Sequence, residues 1–170
     1  DDVFLSNKQM QQVMHGDRAM VRINGLDRRG RPEGAIVEVL ERMNKTIVGR
    51  VMQGTGVTVV AAEDKRINQD ILIPYHLDMG AKVGQIVEVE MTEQPSKHAH
   101  PMGKVIQILG NYADSGMEIE IALRKHKLPH QFSPAAIKQA EAIPKIVQPN
   151  DYKDRIDCRQ LPLITIDGET

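Results

Sequence analysis

An internal repeat constrains this chain more than any other feature of its sequence. Short segments of the first copy recur 68 or 69 positions later with a similar order of glycine, apolar and acidic residues. The aligned segments are 2–6 with 70–74, 16–21 with 84–89, and 34–40 with 103–109. Self-similarity at a fixed offset indicates a repeated structural unit, and one extra loop residue explains the change of offset. We therefore expect two copies of one small fold.

The second copy is predicted to contain five short β-strands. Stretches rich in β-branched residues are separated by turn residues such as Gly54 and Gly56. Along the fourth strand Val87, Val89 and Met91 alternate with glutamates, as a strand with one buried face requires. The expected strands span 46–53, 56–62, 70–74, 85–92 and 103–109. Five strands of this size fit a small OB-fold barrel, with an SH3-like barrel or a small sandwich as alternatives.

The first copy is predicted to be incomplete. It has counterparts of the last three strands only, so its first two strands are expected to lie before residue 1. The alternating segment 116–122 is expected to extend the sheet or to lead out of it. Ser133 as an N-cap, with Pro134 at the first helical position, predicts one short helix. The fold class is mainly β, with tandem OB-fold barrels, the first incomplete, followed by a helix and a linker. The expected domains are 1–43, 44–123, 124–160 and 161–170.

Composition narrows the class of protein. Hydrophobic residues make up 41% and charged residues 26% of the 170 positions, which is typical of a globular protein. The net charge of −1 neither requires nor excludes a polyanionic partner, so charge has to be considered locally. Cys158 is the single cysteine, which favours a reducing compartment, and we expect the cytoplasm. No apolar stretch approaches the ~18 residues of a membrane span, and the first residues lack a secretory signal.

Basic side chains concentrate in short clusters between the predicted strands. In OB-type barrels, oligonucleotides contact the face of strands 2 and 3 and the loops between strands 1–2 and 4–5. Both copies place basic residues between strands 4 and 5, which favours contact with backbone phosphates. The candidate binding residues are Arg28, Arg29, Arg31, Lys65, Arg66, Lys97, Arg124 and Lys125. His98 and His100 lack a neighbouring carboxylate or cysteine in sequence, so no metal site is expected there.

The C-terminal ten residues carry a family resemblance. Residues 161–170, Leu-Pro-Leu-Ile-Thr-Ile-Asp-Gly-Glu-Thr, resemble the opening of the catalytic domain in the ribonuclease II superfamily. The tandem barrels before them resemble the paired cold-shock domains of that superfamily. The resemblance implies the RNA-binding N-terminal part of a processive 3′-to-5′ exoribonuclease that hydrolyses RNA to 5′-nucleoside monophosphates. Single-stranded RNA is the implied partner, no membrane is expected, and we expect a monomer.

Asp167 is the one residue to which the resemblance assigns a catalytic, metal-binding role. In the superfamily this Asp is the first of four clustered acids, and the other three would follow just past Thr170. The cluster implies Mg²⁺, which takes hard oxygen ligands and in pairs steadies the attacking and leaving oxygens of a phosphodiester. Considered without the resemblance, an Asp-Gly pair after an apolar run is ordinarily a turn. One carboxylate cannot form this site, so the chain alone is expected to be inactive as a nuclease.

The two barrels depart from the cold-shock pattern in one respect. Strands 2 and 3 of such domains normally carry aromatic side chains, on which bases stack. The second copy has none on either strand, and the first retains only Phe4. Binding is therefore expected to rest on backbone phosphates and to tolerate any sequence. The alternative function is a non-catalytic tandem-barrel RNA-binding adaptor, and the residues that follow Thr170 would distinguish the two.

Overall fold

The computed structural model describes residues 2–164 and 166, which fall into two units. One unit ends at His130, and the other begins at Gln131. None of the helices in the described residues is long and apolar enough to cross a membrane.

The first copy forms a three-stranded sheet. β1 (Phe4–Leu5) leads through one helical turn, α1 (Asn7–Met10), into a long hairpin. The hairpin consists of β2 (Arg18–Leu26) and β3 (Pro32–Glu41). β3 lies in the middle, antiparallel to β2 and parallel to β1. The three strands predicted for this copy are confirmed.

The second copy forms a closed five-stranded barrel. Its strands are β4 (Thr46–Met52), β5 (Thr58–Ala62), β6 (Ile71–Ile73), β7 (Gln85–Glu93) and β8 (Met102–Asn111). Their order around the barrel is β4-β5-β6-β8-β7, and β4 pairs with β7 to close it. β6 and β8 run parallel, as β1 and β3 do in the first copy. The closed barrel of five strands confirms the predicted OB-type architecture.

The same tight turn occurs in both copies. Gly16 and Gly84 take φ angles of +91° and +90°, in the left-handed region that favours glycine. The next residue, Asp17 or Gln85, accepts a side-chain hydrogen bond from the backbone N–H three residues earlier, at 3.0 and 2.8 Å. The sequence repeat is therefore also a repeat of backbone geometry, located just before β2 and β7.

Gly34 and Gly103 mark a close approach of paired strands in each copy. A Cβ atom at Gly34 would meet Cγ1 of Val21, and a Cβ atom at Gly103 would meet Cγ1 of Val89. Val21 and Val89 are themselves equivalent in the repeat. Both glycines thus serve the same purpose, because any side chain there would push the sheet apart.

Aliphatic side chains fill the barrel. The inward-pointing residues of its strands include Val51, Val60, Ile71, Ile73, Val87 and Val89, all fully buried. Removing each such side chain from water stabilises the fold by about 1.5–3 kcal/mol. Met14, which precedes β2 in the first copy, is 4% exposed and belongs to the same cluster. The two copies therefore share one hydrophobic core.

The segment after the barrel is a helix, so of the two alternatives for 116–122 the extension of the sheet is wrong, and the segment leads out of it. α2 (Met117–Lys125) packs on the outside of the barrel, where Met117 enters a second buried cluster. Met117, Ile121 and Arg124 stand at i, i+4 and i+7 and share one face of the helix. This packing outweighs the period-two alternation of the same residues.

The second unit contains the predicted short helix, α3 (Pro134–Ala142). Ser133 is its N-cap, and the Ser133 hydroxyl accepts a hydrogen bond from the backbone N–H of Ala136 at 3.2 Å. A single 3-10 turn, Pro149–Tyr152, follows. Both the helix and its cap confirm the sequence prediction.

Candidate nucleic-acid interface

A tight loop between β2 and β3 presents the basic cluster of the first copy. Asp27 Oδ1 accepts hydrogen bonds from the backbone N–H groups of Arg29 and Arg31, at 2.8 and 2.9 Å. The hydrogen bond from the Arg31 N–H is the main cause that lowers the pKa of Asp27 below its usual value. Gly30, with φ +75°, completes the turn. The loop is therefore organised by its own carboxylate.

Arg28 and Arg29 differ from Arg31 in what surrounds their side chains. Arg31 Nε donates to Asp27 Oδ2 at 2.8 Å, and its guanidinium lies 4.7 Å from the centroid of the Phe4 ring. The residues Arg28 and Arg29 are exposed, and within the described residues no ion pair engages their guanidinium groups. Arg28 and Arg29 are thus open to a phosphate, whereas Arg31 holds the loop together.

A second basic cluster surrounds Asp64, in the loop between β5 and β6. The Arg66 guanidinium donates to both carboxylate oxygens, with Nε–Oδ1 at 3.0 Å and Nη2–Oδ2 at 2.7 Å. It holds the pKa of Asp64 well below its usual range, and the nearby charge of Lys125 lowers it further. Lys65 and Lys125 are exposed. Arg66 is therefore committed to Asp64, and the two lysines are the freer cations of this cluster.

Arg124 lies inside the fold, which removes it from the predicted phosphate contacts. Its side chain is only 5% exposed. Arg124 Nε donates to Glu88 Oε2 at 3.3 Å, and Nη1 forms a short ion pair with Glu120. Nη2 reaches Gln107 Oε1 at 3.4 Å. Arg124 therefore fastens α2 to β7 and β8, and its charge is neutralised there by carboxylates.

The loop between β7 and β8 is the equivalent of the β2–β3 loop in the first copy. Lys97, His98 and His100 are exposed at its tip. The backbone N–H of Ser96 donates to the Ala99 carbonyl at 3.1 Å, which closes the tip as a turn. Basic side chains thus occupy topologically equivalent loops in both copies.

The outer face of β5 and β6 is aliphatic. Val59 and Leu72 stand directly opposite each other on this face and are half-buried. Neither strand contains an aromatic residue. The tyrosine ring of Tyr112 lies elsewhere, at the end of β8, where it stacks 3.6 Å from the Arg50 guanidinium. These two strands therefore offer no aromatic stacking platform.

The side chain of Arg42 joins the two copies, a contact that no sequence pattern predicted. Arg42 Nη1 donates to Asp17 Oδ2 at 2.9 Å and to the Gln12 carbonyl at 2.8 Å. Its Nη2 reaches the Pro95 carbonyl in the β7–β8 loop at 3.1 Å. The side chain of Asp17 is fully buried. The acidic residue after Gly16 was visible in the repeat, but nothing in the sequence pointed to its distant partner.

Asp167, the predicted catalytic and metal-binding residue, lies outside the described residues. Within residues 2–164 and 166, no three His, Cys, Asp or Glu side chains come together to hold a metal ion. The described residues alone therefore do not supply a set of ligands for Mg²⁺.

Two family models match the chain, one in each copy. A family described as "Ribonuclease B OB domain" matches residues 1–39. A family described as "Cold shock domain" matches residues 60–133. Both descriptions fit an OB-type fold that occurs in two copies.

Curated relatives align with nearly the whole chain. Ribonuclease R of Vibrio cholerae is 40% identical over 168 residues, which cover 99% of this chain and 20% of the relative. Ribonuclease R of Escherichia coli is 40% identical over 169 residues, which cover 99% of this chain and 21% of the relative. The chain is homologous to a segment of ribonuclease R. It spans about a fifth of the length of these relatives.

Solved ribonuclease R structures share the fold. The apo form of Mycoplasma genitalium RNase R superposes with a TM-score of 0.69 at 12% identity, covering 82% of this chain and 23% of that chain. The same enzyme in complex with ribose methylated single-stranded RNA also gives a TM-score of 0.69, at 12% identity, covering 88% of this chain and 24% of that chain. At this identity the likeness to ribonuclease R supports the fold.

Proposed function

We propose that this chain binds single-stranded RNA and forms the RNA-binding part of a Mg²⁺-dependent exoribonuclease. The proposed parent enzyme acts processively from 3′ to 5′ and releases 5′-nucleoside monophosphates. One observation carries the proposal: equivalent loops of both copies present basic side chains, in a chain 40% identical to ribonuclease R over 99% of its length. We further propose that the protein is a cytoplasmic monomer.

RNA phosphates are the proposed ligands of the exposed cations. Arg28 and Arg29 in the first copy and Lys97 in the second project from loops whose backbones are fixed by turn hydrogen bonds. Contacts of this kind release counterions from the RNA and carry no base information. Lys65 and Lys125 add a further basic patch on the same unit. The net charge of the chain is −1, so the proposed attraction to RNA depends on these local patches.

The salt dependence of binding tests the RNA-binding part of the proposal. If Arg28 and Arg29 each neutralise one phosphate, replacing both with Ala makes the negative slope of log K against log salt less steep by about 1.4, or about 0.7 per contact on a single strand. Fluorescence anisotropy with labelled A12 and U12 across a salt series measures this slope. Affinity for both oligonucleotides should fall by the same factor.

Arg18→Ala is the matched control. Arg18 is an exposed arginine at the start of β2, and the loop with Arg28 and Arg29 follows the other end of that strand. At a rise of ~3.3 Å per strand residue, Arg18 is about 25 Å from the loop. It should leave the slope unchanged. An unchanged slope in the Arg28/Arg29 variant would remove this loop from the RNA path.

A substitution at Asp167 in the complete protein tests the enzymatic part of the proposal. Replacing Asp167 with Asn removes one negative charge from the proposed acid cluster while nearly keeping the shape of the side chain. Hydrolysis of RNA should fall by on the order of 10² or more, with little change in RNA affinity. The isolated chain should degrade no RNA. Wild-type turnover by Asp167→Asn, or a complete protein without nuclease activity, would favour the RNA-binding adaptor instead.

A further inference from the structure

A cleft of about 360 Å³ lies where the two copies meet, beside the β7–β8 loop. Its volume is at the lower end of the range for small-molecule sites, which suits one nucleotide unit. One wall is formed by the residues that lead into β6, and the other by the loop tip. The side chains that carry the chemistry are Asn68, Gln69, Asp70, Lys97, His98 and His100.

The loop wall of this cleft is held in place at both ends. Pro95 and Pro101, which flank the tip, are fully buried. The Pro101 carbonyl accepts the backbone N–H of Leu72 at 3.0 Å, and the Pro95 carbonyl accepts Arg42 Nη2 at 3.1 Å. With the Ser96–Ala99 turn between them, the tip presents its side chains from a fixed backbone. A site on such a loop is built before its ligand arrives.

The opposite wall is tied to the first copy. Gln69 Nε2 donates to the carbonyls of Met10 and Val13, both at 2.9 Å. These two bonds fix the carboxamide, so that its Oε1 is buried, and within the described residues it has no hydrogen-bond partner. Asp70, next in the chain, is exposed and enters no ion pair or side-chain hydrogen bond there. Asp70 is therefore the acceptor on this wall that a ligand can reach.

The charges of the cleft match a nucleotide better than a simple anion. Lys97 suits a phosphate, whereas the Asp70 carboxylate, which lines the same cleft, would repel a free anion. Imidazole rings of His98 and His100 can stack against a base, as aromatic side chains do in single-stranded RNA recognition. A carboxylate accepts hydrogen bonds from the exocyclic amino group of a base, as Asp and Glu do with cytosine N4.

We propose that this cleft holds one nucleotide of single-stranded RNA and prefers bases with an exocyclic amino group over uracil. Lys97 contacts the phosphate, the two histidine rings flank the base, and Asp70 accepts from its amino group. The assignment rests on the proposed RNA binding of this chain. It adds a base preference to a binding mode that the amino-acid sequence alone predicts to be independent of the RNA sequence.

Anisotropy titrations of the full chain with labelled A12, C12 and U12 test the preference. A12 and C12 should bind about three- to tenfold more tightly than U12, which is the net effect of one hydrogen bond. In Asp70→Asn the ratio of A12 to U12 affinity should approach one, because an amide can donate to the uracil carbonyl as well as accept. Glu118→Gln, an exposed carboxyl on α2, is the matched control and should keep the wild-type ratio.

An NMR titration of the unmodified chain with C12 provides a readout that needs no variant. The ring resonances of His98 and His100 should shift together with binding, while that of His130 at the end of the first unit should stay in place. Static rings at positions 98 and 100 during saturable binding would overturn the assignment.

The experiments distinguish a wrong base preference from a wrong proposal of RNA binding. Equal affinities for A12, C12 and U12, or a wild-type ratio in Asp70→Asn, overturn the base preference while the Arg28/Arg29 salt slope still supports RNA binding. Absence of binding to all three oligonucleotides overturns both.

Discussion

Replacing Arg124 with Met separates a structural role from an RNA-binding role. The substitution keeps an apolar stem of similar length and removes the guanidinium that joins α2 to the barrel. Glu88, whose side chain is 17% exposed, then loses its ion-pair partner in a largely dry position. Glu120 is 47% exposed and can turn to water. The variant should therefore keep the fold but lose stability.

The size of the loss follows from these exposures. Breaking a fully buried ion pair costs about 3–5 kcal/mol, and breaking an exposed pair costs about 0–1 kcal/mol. With one partner buried and the other half-exposed, we expect a loss of about 2–3 kcal/mol. For a unit of this size that corresponds to a decrease in Tm of roughly 6–10 °C.

Urea denaturation and thermal melting measure the change. Arg18→Ala, in which a 75% exposed side chain leaves a half-exposed Glu41, is the control and should cost about 0.5 kcal/mol or less. Adding Glu88→Gln to Arg124→Met should recover part of the loss, because the unpaired charge is gone.

RNA binding at a temperature where the variant is folded completes the test. Arg124→Met should keep the wild-type salt slope. A slope reduced by about 0.7, with stability close to that of Arg18→Ala, would refute the structural role and return Arg124 to the phosphate contacts.

Three further predictions follow from contacts within the first unit. Arg42→Ala should lower the free energy of unfolding by about 3 kcal/mol, measured in urea, because the buried Asp17 carboxylate loses its ion pair. Gly103→Ala should lower it by about 1–3 kcal/mol in the same assay, since a Cβ there would lie 2.9 Å from a carbonyl oxygen of the neighbouring strand. The pKa of Asp64 is lowered by the Arg66 guanidinium, so its stabilising effect is present above the unfolded pKa of about 3.9 and is lost as the pH falls through the folded pKa. Melting curves between pH 6 and pH 2.5 should therefore show a smaller decrease in Tm for Asp64→Asn than for the wild type.

The barrel could be predicted because local signals and the repeat agreed. Val87 and Val89 alternate with glutamates, and the glycines at 34 and 103 recur at the same point of both copies. In the structure these residues form the inner face of β7 and the close strand contacts. Local periodicity and long-range packing favour the same structure there.

α2 could not be assigned because its sequence supports two periods. Met117, Ile119 and Ile121 alternate with glutamates, as in a strand, while Met117 and Ile121 also share a helical face. The barrel surface decides between them, since Met117 is 4% exposed against it whereas Ile119 is 61% exposed. Such a choice depends on a partner that is distant in sequence.

The exposure of the loop cations could be predicted from the sequence, and the ion pairs of the other cations could not. Arg28, Arg29 and Lys97 are exposed because they lie in equivalent loops of the two copies. Their contact with RNA stays a prediction. The partners of Arg31 and Arg124 could not be read from the sequence. Arg31 is engaged by an acid four residues away, and Arg124 by Glu88, 36 residues earlier in the chain.

Because of Met14, the first copy and the barrel are expected to unfold together. Its side chain sits in the barrel core although it belongs to the first copy, and Arg42 and Gln69 bond across the same boundary. A fragment that starts at residue 44 would retain every barrel strand and still contain a void where Met14 was, at a cost of about 2–5 kcal/mol. Heating should therefore melt β1 through α2 in one cooperative transition. Two repeats in the sequence amount to a single unit of folding.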